Sequence, residues 1–366
     1  MMWMRLLDIC DFQGGSQPPK EEWSFAEQEG YIRMLQIRDF TQSEKVTPEY
    51  IKISNCIKTC TEDDVLIARY GASIGMVLTG IAGAYNVAIM RTIPDTDIIR
   101  KRFLYYYLKS SYFQYAILNV GSRAAQAGFN KTDLAKLEIT CPELSKQDKI
   151  VKILEKVESI IQKRKDQLNA LDYIIKARFV EMFGDVKYGS ERWGGKPFKD
   201  ITINLDSKRK PVKDADRKRM QGIYPYYGAT GIVDYINDYR QDGDFLLISE
   251  DGKALELRSK PIAFLASGKI WVNNHAHVQQ CTDECNMIYL MYHINFMDIS
   301  IWVTGIDQKK LNRANLDTIP IALPPIELQE QFAAFVHQVD KSKVVVQKAL
   351  DEAQLLFDSL MQKYFG

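Results

Sequence analysis

The stretch NKTDLAKLEITCPELSKQDKIVKIL, residues 130–154, has a counterpart, NRANLDTIPIALPPIELQEQFAAFV, in residues 312–336. Both belong to a longer repeat, in which residues 129–184 align without a gap with residues 311–366 at a constant offset of 182. The chain is therefore predicted to contain two similar units in line, which handle two similar targets. Nine positions of the repeat are identical in the two copies: Asn130/Asn312, Leu134/Leu316, Ile139/Ile321, Pro142/Pro324, Gln147/Gln329, Val157/Val339, Leu168/Leu350, Phe183/Phe365 and Gly184/Gly366.

A coiled-coil pattern follows the apolar segment in each copy. Apolar residues recur there at alternating intervals of four and three residues over five heptads, which predicts a helical seam. The predicted helices cover residues 145–183 and 327–365, and Lys343 is the one interruption of the second seam. The apolar seam residues are Ile150, Leu154, Val157, Ile161, Leu168, Leu171, Ile175, Met182, Phe332, Val336, Val339, Val346, Leu350, Phe357 and Leu360.

Neither helix can bury such a stripe alone, so we predict that the two helices pair with each other. Because the second unit begins where the first helix ends, pairing favours an antiparallel rod with a globular region at each end and a pseudo-two-fold axis across it. The alternative is that each helix packs only on its own globular region. The predicted fold class is mixed α+β: two α/β regions, separated by two long helices packed as an antiparallel coiled coil.

The bulk properties of the chain place few limits on its function. Its 366 residues are 46% hydrophobic and 26% charged, which is ordinary for a soluble protein of two or three domains. No run of about 18 apolar residues is present, so no membrane span is expected. Six cysteines in a chain of this length fit a reducing cytoplasm better than a disulfide framework. We therefore expect a cytoplasmic protein.

Motifs of self-sufficient enzymes are missing from the sequence. It contains no GxxxxGK, no GxGxxG that opens a helix and no HExxH. His275 and His277 alternate on one predicted strand with Cys281 and Cys285 close behind, so a zinc site is conceivable. The cysteine spacing is not CxxC, however, and the other half of the repeat has no equivalent. We predict no catalytic residues and no metal site in this chain.

One segment of the second globular region carries a strong local charge. Residues 208–219, KRKPVKDADRKR, contain seven basic side chains and two aspartates, a balance that can neutralise phosphates. Tyr224, Tyr226 and Tyr227 follow beside Gly228 and Gly231. Aromatic and basic groups on glycine-hinged loops suit contacts with a DNA backbone and with base edges. A solvated surface loop beside core tyrosines would give the same sequence pattern.

The chain resembles the specificity (S) subunit of type I restriction–modification systems over essentially its whole length. The resemblance lies in the order of variable region, long helix, variable region and long helix. It also lies in DDVLIARYGASIG at residues 63–75, in the two stretches quoted first, and in ARFVEMFGD at residues 177–185. The second region keeps the glycine turn of the first poorly, because SEDGKALEL at residues 249–257 replaces RYGASIG.

The resemblance implies a non-catalytic subunit that reads a split, asymmetric DNA target. Residues 1–144 and 188–326 would be target-recognition domains, one for each half-site, and residues 145–187 and 327–366 the conserved helices that set the gap between half-sites. The implied partners are double-stranded DNA, modification (methyltransferase) subunits, two of them being expected, and restriction subunits. S-adenosylmethionine, ATP and Mg²⁺ would be bound by those partners, with no cofactor in this chain.

Candidate DNA contacts follow from the basic, polar and aromatic residues on predicted loops. In the first region they are Arg69, Tyr70 and Ser73 on the glycine turn, with Arg123, Gln126, Asn130 and Lys131 before the helix. In the second region they are Lys208, Arg209, Lys210, Tyr226, Tyr227, Lys253, Lys269, Asn274, His275, Lys309 and Lys310.

Two other classes of protein fit parts of the pattern. The first is a coiled-coil structural or partner-binding protein without a role in DNA recognition. The second is a complete methyltransferase or nuclease, which the absent motifs disfavour. A binding assay titrated with salt separates both from the specificity subunit, because phosphate contacts make affinity fall with salt.

Overall fold

The computed structural model describes residues 2–42, 45–121, 128–187 and 192–366. The chain forms two compact units, each of which contains one globular region and parts of both long helices. Unit 1 comprises Met1–Lys165 together with Lys348–Gly366, and unit 2 comprises Asp166–Gln347. The limits predicted for the four domains stay a prediction.

The first part of the chain alternates short strands and helices and ends in a helix of 40 residues. Its elements are β1 (Met2–Arg5), α1 (Leu6–Ile9), β2 (Cys10–Gly14), β3 (Trp23–Ser24), β4 (Tyr31–Leu35), α2 (Ile37–Thr41), β5 (Tyr50–Lys52), β6 (Thr59–Cys60), β7 (Leu66–Ala68), β8 (Val77–Leu78), β9 (Gly83–Tyr85), β10 (Ile89–Pro94), α3 (Lys101–Lys109), α4 (Ser111–Gly121), α5 (Lys131–Leu134), β11 (Glu138–Cys141) and α6 (Leu144–Phe183).

The strands of unit 1 form three sheets, in the orders β2-β10-β7-β8, β3-β5-β4-β9-β6 and β1-β11. The pairing is antiparallel except between β4 and β9. The main core lies where α3, an aromatic helix with the sequence FLYYYL at residues 103–108, packs on the long helices. Phe103, Tyr106 and Tyr107 of α3 are almost wholly buried there. The ring of Phe103 lies 4.9 Å from that of Phe365, so the last turn of the chain is part of this core.

The second part of the chain has longer strands and again ends in a helix of 40 residues. Its elements are β12 (Gly195–Pro197), β13 (Thr202–Asn204), α7 (Asp214–Arg217), β14 (Gln221–Gly228), β15 (Gly231–Ile236), β16 (Gln241–Ser249), α8 (Lys253–Leu257), β17 (Ala263–Val272), β18 (Ala276–Cys281), α9 (Met287–Phe296), α10 (Arg313–Thr318), β19 (Pro320–Ala322) and α11 (Ile326–Phe365).

A six-stranded sheet in the order β13-β18-β16-β17-β14-β15 dominates unit 2, beside a small sheet of β12 and β19. One face of the large sheet packs on α9, a second helix rich in aromatic residues. Tyr289 of α9 is fully buried, and its ring stacks on Phe179 of α6 at 5.6 Å. The ring of Phe332 in α11 lies 5.3 Å from that of Phe179. Unit 2 is therefore built like unit 1, with an aromatic helix seated on segments of both long helices.

The two long helices pair in antiparallel fashion within each unit. In unit 1, Leu154 shares a core cluster with Met361 and Phe365, whereas Ile161, further along α6, clusters with Ala353, which is earlier in α11. The residue order along one helix is thus the reverse of that along its partner, and the predicted antiparallel pairing is confirmed. Each unit also seats its globular region on the helices, so the alternative packing occurs in addition to the pairing.

Unit 2 repeats this arrangement of the helices. The ring of Phe183, near the end of α6, lies 5.6 Å from that of Phe332, near the start of α11. Lys343, the interruption of the predicted seam, pairs with Asp172 of α6 at 2.6 Å. An ion pair between the helices therefore takes the place of an apolar contact. None of the predicted seam residues is classed as exposed, and the mixed α+β fold class is confirmed.

Gln147, which is identical to Gln329 in the other copy of the repeat, has a structural role. It lies in the first turn of α6 and is fully buried. Its Nε2 donates to the carbonyl oxygens of Ile98 and Pro142, both at 2.8 Å, and its Oε1 accepts from the backbone N–H of Arg100 at 2.9 Å. Arg100 is the N-cap of α3. The glutamine therefore ties the start of the long helix to the start of the aromatic helix.

Gln329 makes the equivalent contacts in unit 2. Its Nε2 donates to the carbonyl oxygen of Pro324 at 2.8 Å and to that of Glu284 at 3.2 Å. Its Oε1 accepts from the N–H of Asn286, the N-cap of α9, at 2.8 Å. A buried amide that loses such partners is costly, which accounts for the retention of glutamine in both copies.

Candidate nucleic-acid interface

The glycine turn of unit 1 follows β7 and carries three of the predicted DNA contacts, Arg69, Tyr70 and Ser73. Gly71 has φ +69, a conformation that favours glycine, and it starts a short 3₁₀ helix that contains Ser73. Tyr70 forms an isolated antiparallel bridge with Gly128. A Cβ at Gly128 would lie 2.4 Å from the Tyr70 ring, so this close approach requires glycine. The turn is thereby joined to the segment that precedes the repeat.

Arg69 is the strongest candidate contact on this turn. Its guanidinium lies over the ring of Tyr70, 4.6 Å from the centroid, in a cation–π contact. Its Nε is buried without a partner, and the ion pairs found among the described residues do not include Arg69. A half-buried guanidinium without an acidic partner retains its capacity to donate to phosphate or to guanine.

The polar loop before α5 is only partly described. Arg123 and Gln126 lie outside the described residues. Asn130 is the N-cap of α5, and its Oδ1 accepts from the backbone N–H groups of Thr132 at 2.8 Å and Asp133 at 3.2 Å. This capping role explains the presence of the asparagine in both repeats, and the predicted contact of Asn130 with DNA stays a prediction. Lys131 forms an ion pair with Asp11.

Unit 2 contains the same turn with different side chains. Gly252 has φ +102, and Asp251 forms an antiparallel bridge with Lys310, as Tyr70 does with Gly128. The backbone N–H of Leu311 donates to the carbonyl of Glu250 at 2.8 Å, as that of Phe129 does to Arg69 at 3.2 Å. Glu250 therefore corresponds to Arg69. The turn is better preserved than the sequence indicated. An alignment at the constant offset of 182 misses it, because unit 2 has one residue more than unit 1 between the turn and the repeat.

The charges around Glu250 are arranged as a network. Its carboxylate accepts from Arg209 at 2.6 Å and pairs with Lys310 at 3.0 Å. Burial disfavours ionisation of Glu250, but these hydrogen bonds outweigh it and lower its pKa. Arg209 also pairs with Asp206 at 3.2 Å and donates to the carbonyl of Ala276 at 3.0 Å. Arg209 is thus engaged by partners inside the unit, and its predicted contact with DNA stays a prediction.

The two histidines considered for zinc are held by other partners. Nδ1 of His277 lies 2.6 Å from Asp206, and its Nε2 lies 2.8 Å from the carbonyl oxygen of Leu311. Burial opposes ionisation of Asp206, but the hydrogen bond to His277 contributes to a lowered pKa. His275 is exposed, with Nδ1 2.8 Å from Asp251. In the parts of the chain that the structure describes, no group of three His, Cys, Asp or Glu could hold a metal ion.

The remaining candidates of unit 2 divide into exposed and buried residues. Tyr226 is 1% exposed, and its hydroxyl accepts from the N–H of Val212 at 2.9 Å. Tyr227 is also buried, within an apolar cluster on the sheet. Burial removes both tyrosines from the surface, so they are core residues rather than DNA contacts. The exposed or half-buried candidates are Lys208, Lys210, Lys253, Lys269, Asn274, His275, Lys309 and Lys310.

The comparison with protein families agrees with this architecture of two similar units. A family described as "Type I restriction modification DNA specificity domain" matches residues 1–170 and 190–353. This chain belongs to that family. The two matched ranges cover most of the sequence, so the chain carries two specificity domains.

Curated relatives of these specificity domains carry similar names. Over 144 residues, 39% of this chain, it is 38% identical to a putative type I restriction enzyme specificity subunit from Haemophilus influenzae. That alignment spans 36% of the relative's length. Over 92% of this chain and 87% of the relative, it is 22% identical to the type I restriction enzyme EcoprrI specificity subunit from Escherichia coli.

Solved structures show the same fold at low sequence identity. The S subunit of a type I restriction–modification system from M. genitalium has a TM-score of 0.57 and 16% identity, with 100% of this chain and 96% of that chain covered. A chain from a study of assembly and conformational transition of the type I restriction–modification system has a TM-score of 0.58 and 14% identity, with coverage of 100% and 97%.

The second specificity domain also presents two surface residues that the sequence did not single out. Arg240 lies over the ring of Trp271 at 5.4 Å and donates from Nε to the carbonyl of Lys208 at 2.9 Å. Tyr239 is exposed, and Lys269 Nζ lies 4.7 Å from the centre of its ring. Both residues extend the basic and aromatic surface around Lys208. No periodic signal marks them, because they lie in a loop between β15 and β16.

The described residues contain no helix that is both long and apolar enough to cross a lipid bilayer.

Proposed function

We propose that this chain is the sequence-specific DNA-recognition subunit of a type I restriction–modification complex and that it reads a two-part, asymmetric target. The observation that carries the proposal is the pair of equivalent glycine turns on two specificity domains. They hold the same backbone position but present Arg69 in one unit and the Glu250 network in the other. Two surfaces of similar backbone and different chemistry suit two different half-sites.

The proposal assigns the long helices the task of fixing the gap between half-sites. Within each unit the helices are tied by apolar seams and aromatic contacts, and a packed helix pair is rigid on the scale of a base-pair step. Each helix of 40 residues has a length of about 60 Å at 1.5 Å per residue. That length spans more than one turn of B-DNA, which repeats every ~34 Å.

Partners supply the chemistry in this proposal. Modification subunits would bind S-adenosylmethionine and methylate adenine, and restriction subunits would use ATP and Mg²⁺, while this chain remains non-catalytic and cytoplasmic. Exposed apolar residues on α11 support a docking role for the helices. Val344 and Val345 are 68% and 69% exposed in unit 2, and Leu355 is 72% exposed in unit 1. Such side chains on a helix are suited to a protein partner.

The test is a salt-titrated binding assay of the chain in complex with its modification subunits. The DNA is a duplex that carries the target identified from methylated adenines in a host that expresses the complex. Affinity should fall steeply with salt, and each base substitution in a half-site should weaken binding by roughly 1–3 kcal/mol. Equal binding to a scrambled duplex would contradict the proposal and favour the coiled-coil scaffold without a DNA role.

A further inference from the structure

The loop between Thr304 and Lys310 is closed by backbone hydrogen bonds and exposes one apolar side chain at its tip. Thr304 and Lys310 exchange two backbone hydrogen bonds, at 2.9 and 2.8 Å. Gly305 has φ +99, and a Cβ there would lie 2.1 Å from the carbonyl oxygen of Gln308, so the turn requires glycine. Ile306, at the tip, is 96% exposed. The backbone therefore holds an isoleucine away from every apolar cluster of the unit.

This loop is attached to the glycine turn of unit 2. Lys310 forms the backbone bridge with Asp251, and its Nζ pairs with Glu250 at 3.0 Å. Lys309 lies beside it, and Lys253 starts α8 directly after Gly252. Neither of these two lysines has an ion pair among those found in the described part of the chain. The exposed isoleucine thus lies on a loop that also carries Lys309 and that is bridged to the glycine turn followed by Lys253.

We propose that Ile306 is a wedge that inserts between two base pairs of the half-site bound by unit 2. The inference rests on the proposed DNA-recognition function and goes beyond it, because it assigns deformation of the duplex to one residue. Apolar side chains that enter a base step unstack it and kink the duplex, and flanking lysines hold the adjacent phosphates. The half-site would then be selected partly by how easily one of its steps unstacks.

A protein partner is a less favoured occupant of this tip than a DNA base step. A stable protein interface buries about 800 Å² on each partner and is centred on a cluster of apolar anchors. Ile306 stands alone on a loop of polar and charged residues, GIDQKK. A base step needs only one side chain to part its stacked pairs, and a phosphate beside it is what Lys309 can neutralise.

The experiment uses the full chain in complex with its modification subunits. The probe is a set of target duplexes with 2-aminopurine at successive positions of the unit 2 half-site, because unstacking raises its fluorescence. The wild-type complex should raise fluorescence at one step. Ile306→Ala should abolish that rise and weaken binding by about tenfold, or about 1.4 kcal/mol, without a change in the salt dependence. Ile306→Leu should retain both properties.

Two matched variants separate the wedge from general surface effects. Ile301→Ala removes a different isoleucine, 78% exposed in unit 2, and should change neither fluorescence nor affinity. Lys309→Ala should reduce the slope of log affinity against log salt by about one and leave the fluorescence rise in place. Together they distinguish apolar insertion from loss of charge.

Three outcomes would overturn the wedge. One is Ile306→Ala with wild-type affinity and fluorescence, and another is a wild-type complex that binds its target specifically without a fluorescence rise at any position. The third is loss of the modification subunits from the Ile306→Ala complex during purification, which would assign the tip to a protein contact. If instead the wild-type complex shows no sequence preference, the proposed function itself fails.

Discussion

Arg69 and Glu250 occupy the same backbone position in the two specificity domains and carry opposite charge. Each accepts, through its carbonyl, the N–H of the residue that precedes a capping asparagine. Arg69 rests on Tyr70, and no acidic partner for it is found among the described residues, whereas Glu250 is held by Arg209 and Lys310. The two copies of the turn therefore share a backbone arrangement but carry side chains of opposite charge.

Removal of the Arg69 guanidinium should affect one half-site only. We expect Arg69→Ala to weaken binding of the complex to its target by about 1–3 kcal/mol and to relax discrimination at one position of the unit 1 half-site. The measurement is competition binding with duplexes that carry single base substitutions in either half-site. Lys253→Ala is the matched change in unit 2 and should act on the other half-site. The same loss for every duplex would show instead that Arg69 contacts phosphate.

Replacement of either buried glutamine should destabilise the unit that contains it. Gln147→Leu leaves the carbonyls of Ile98 and Pro142 and the N–H of Arg100 without their partner. We expect a loss of about 3 kcal/mol in the free energy of unfolding, measured in urea. Gln329→Leu should cost a similar amount. The control is Gln331→Leu, at an exposed position of α11. An unchanged midpoint for Gln147→Leu would refute the structural role of the amide.

His293 should make the stability of unit 2 depend on pH. It is 1% exposed, its Nε2 accepts from the N–H of Ala322 at 3.3 Å, and burial lowers its pKa from 6.5 to about 4. Between these values the unfolded chain binds the proton and the folded chain does not, so stability rises with pH. The contribution is complete above about pH 6.5 and is lost as the pH falls towards 4, by up to ~3 kcal/mol.

Urea unfolding of the wild-type chain and of His293→Gln, at pH values from 4 to 7, measures this contribution. The difference between the two unfolding free energies should change with pH over that window, whatever the absolute stability of the variant. His337→Gln alters an exposed histidine of the same unit and should leave the wild-type pH dependence in place. A constant difference between wild type and His293→Gln would mean that the buried imidazole does not titrate as stated.

Lengthening both helices should widen the gap between the half-sites. Seven residues inserted after Lys165 in α6 and seven after Gln347 in α11 keep the phase of the seam and add about 10.5 Å to each helix. At ~3.4 Å per base pair, the methylated target should gain about three base pairs between its two parts. An insertion in α6 alone breaks the register and should impair assembly. A longer rod with an unchanged gap would disprove the spacing role.

The sequence was sufficient to predict the helical framework because its signal is periodic and local. The seam positions and the antiparallel pairing follow from heptad spacing and from the constant offset of the repeat. Lys343 could not be explained in this way, because its partner Asp172 belongs to the other helix. Pairing across distant segments has no local signature.

The candidate site was predicted less well, since exposure depends on packing between distant strands. Tyr226 and Tyr227 have the composition of a binding loop but lie in the core of the sheet. Arg209 is part of a strongly basic segment, yet its guanidinium forms ion pairs with Asp206 and Glu250. The correspondence of Arg69 with Glu250 was also missed, because an alignment without gaps cannot extend past a one-residue difference in loop length.

The central claim is that two specificity domains in one chain read two different half-sites. Methylome sequencing of a host that expresses this chain with its modification subunits tests it most directly. The account predicts methylated adenines in one interrupted motif whose two parts differ in sequence, and a change in only one part when Arg69→Ala is expressed instead. A single uninterrupted motif, a perfect palindrome, or no methylation beyond that of a host without the chain would contradict it.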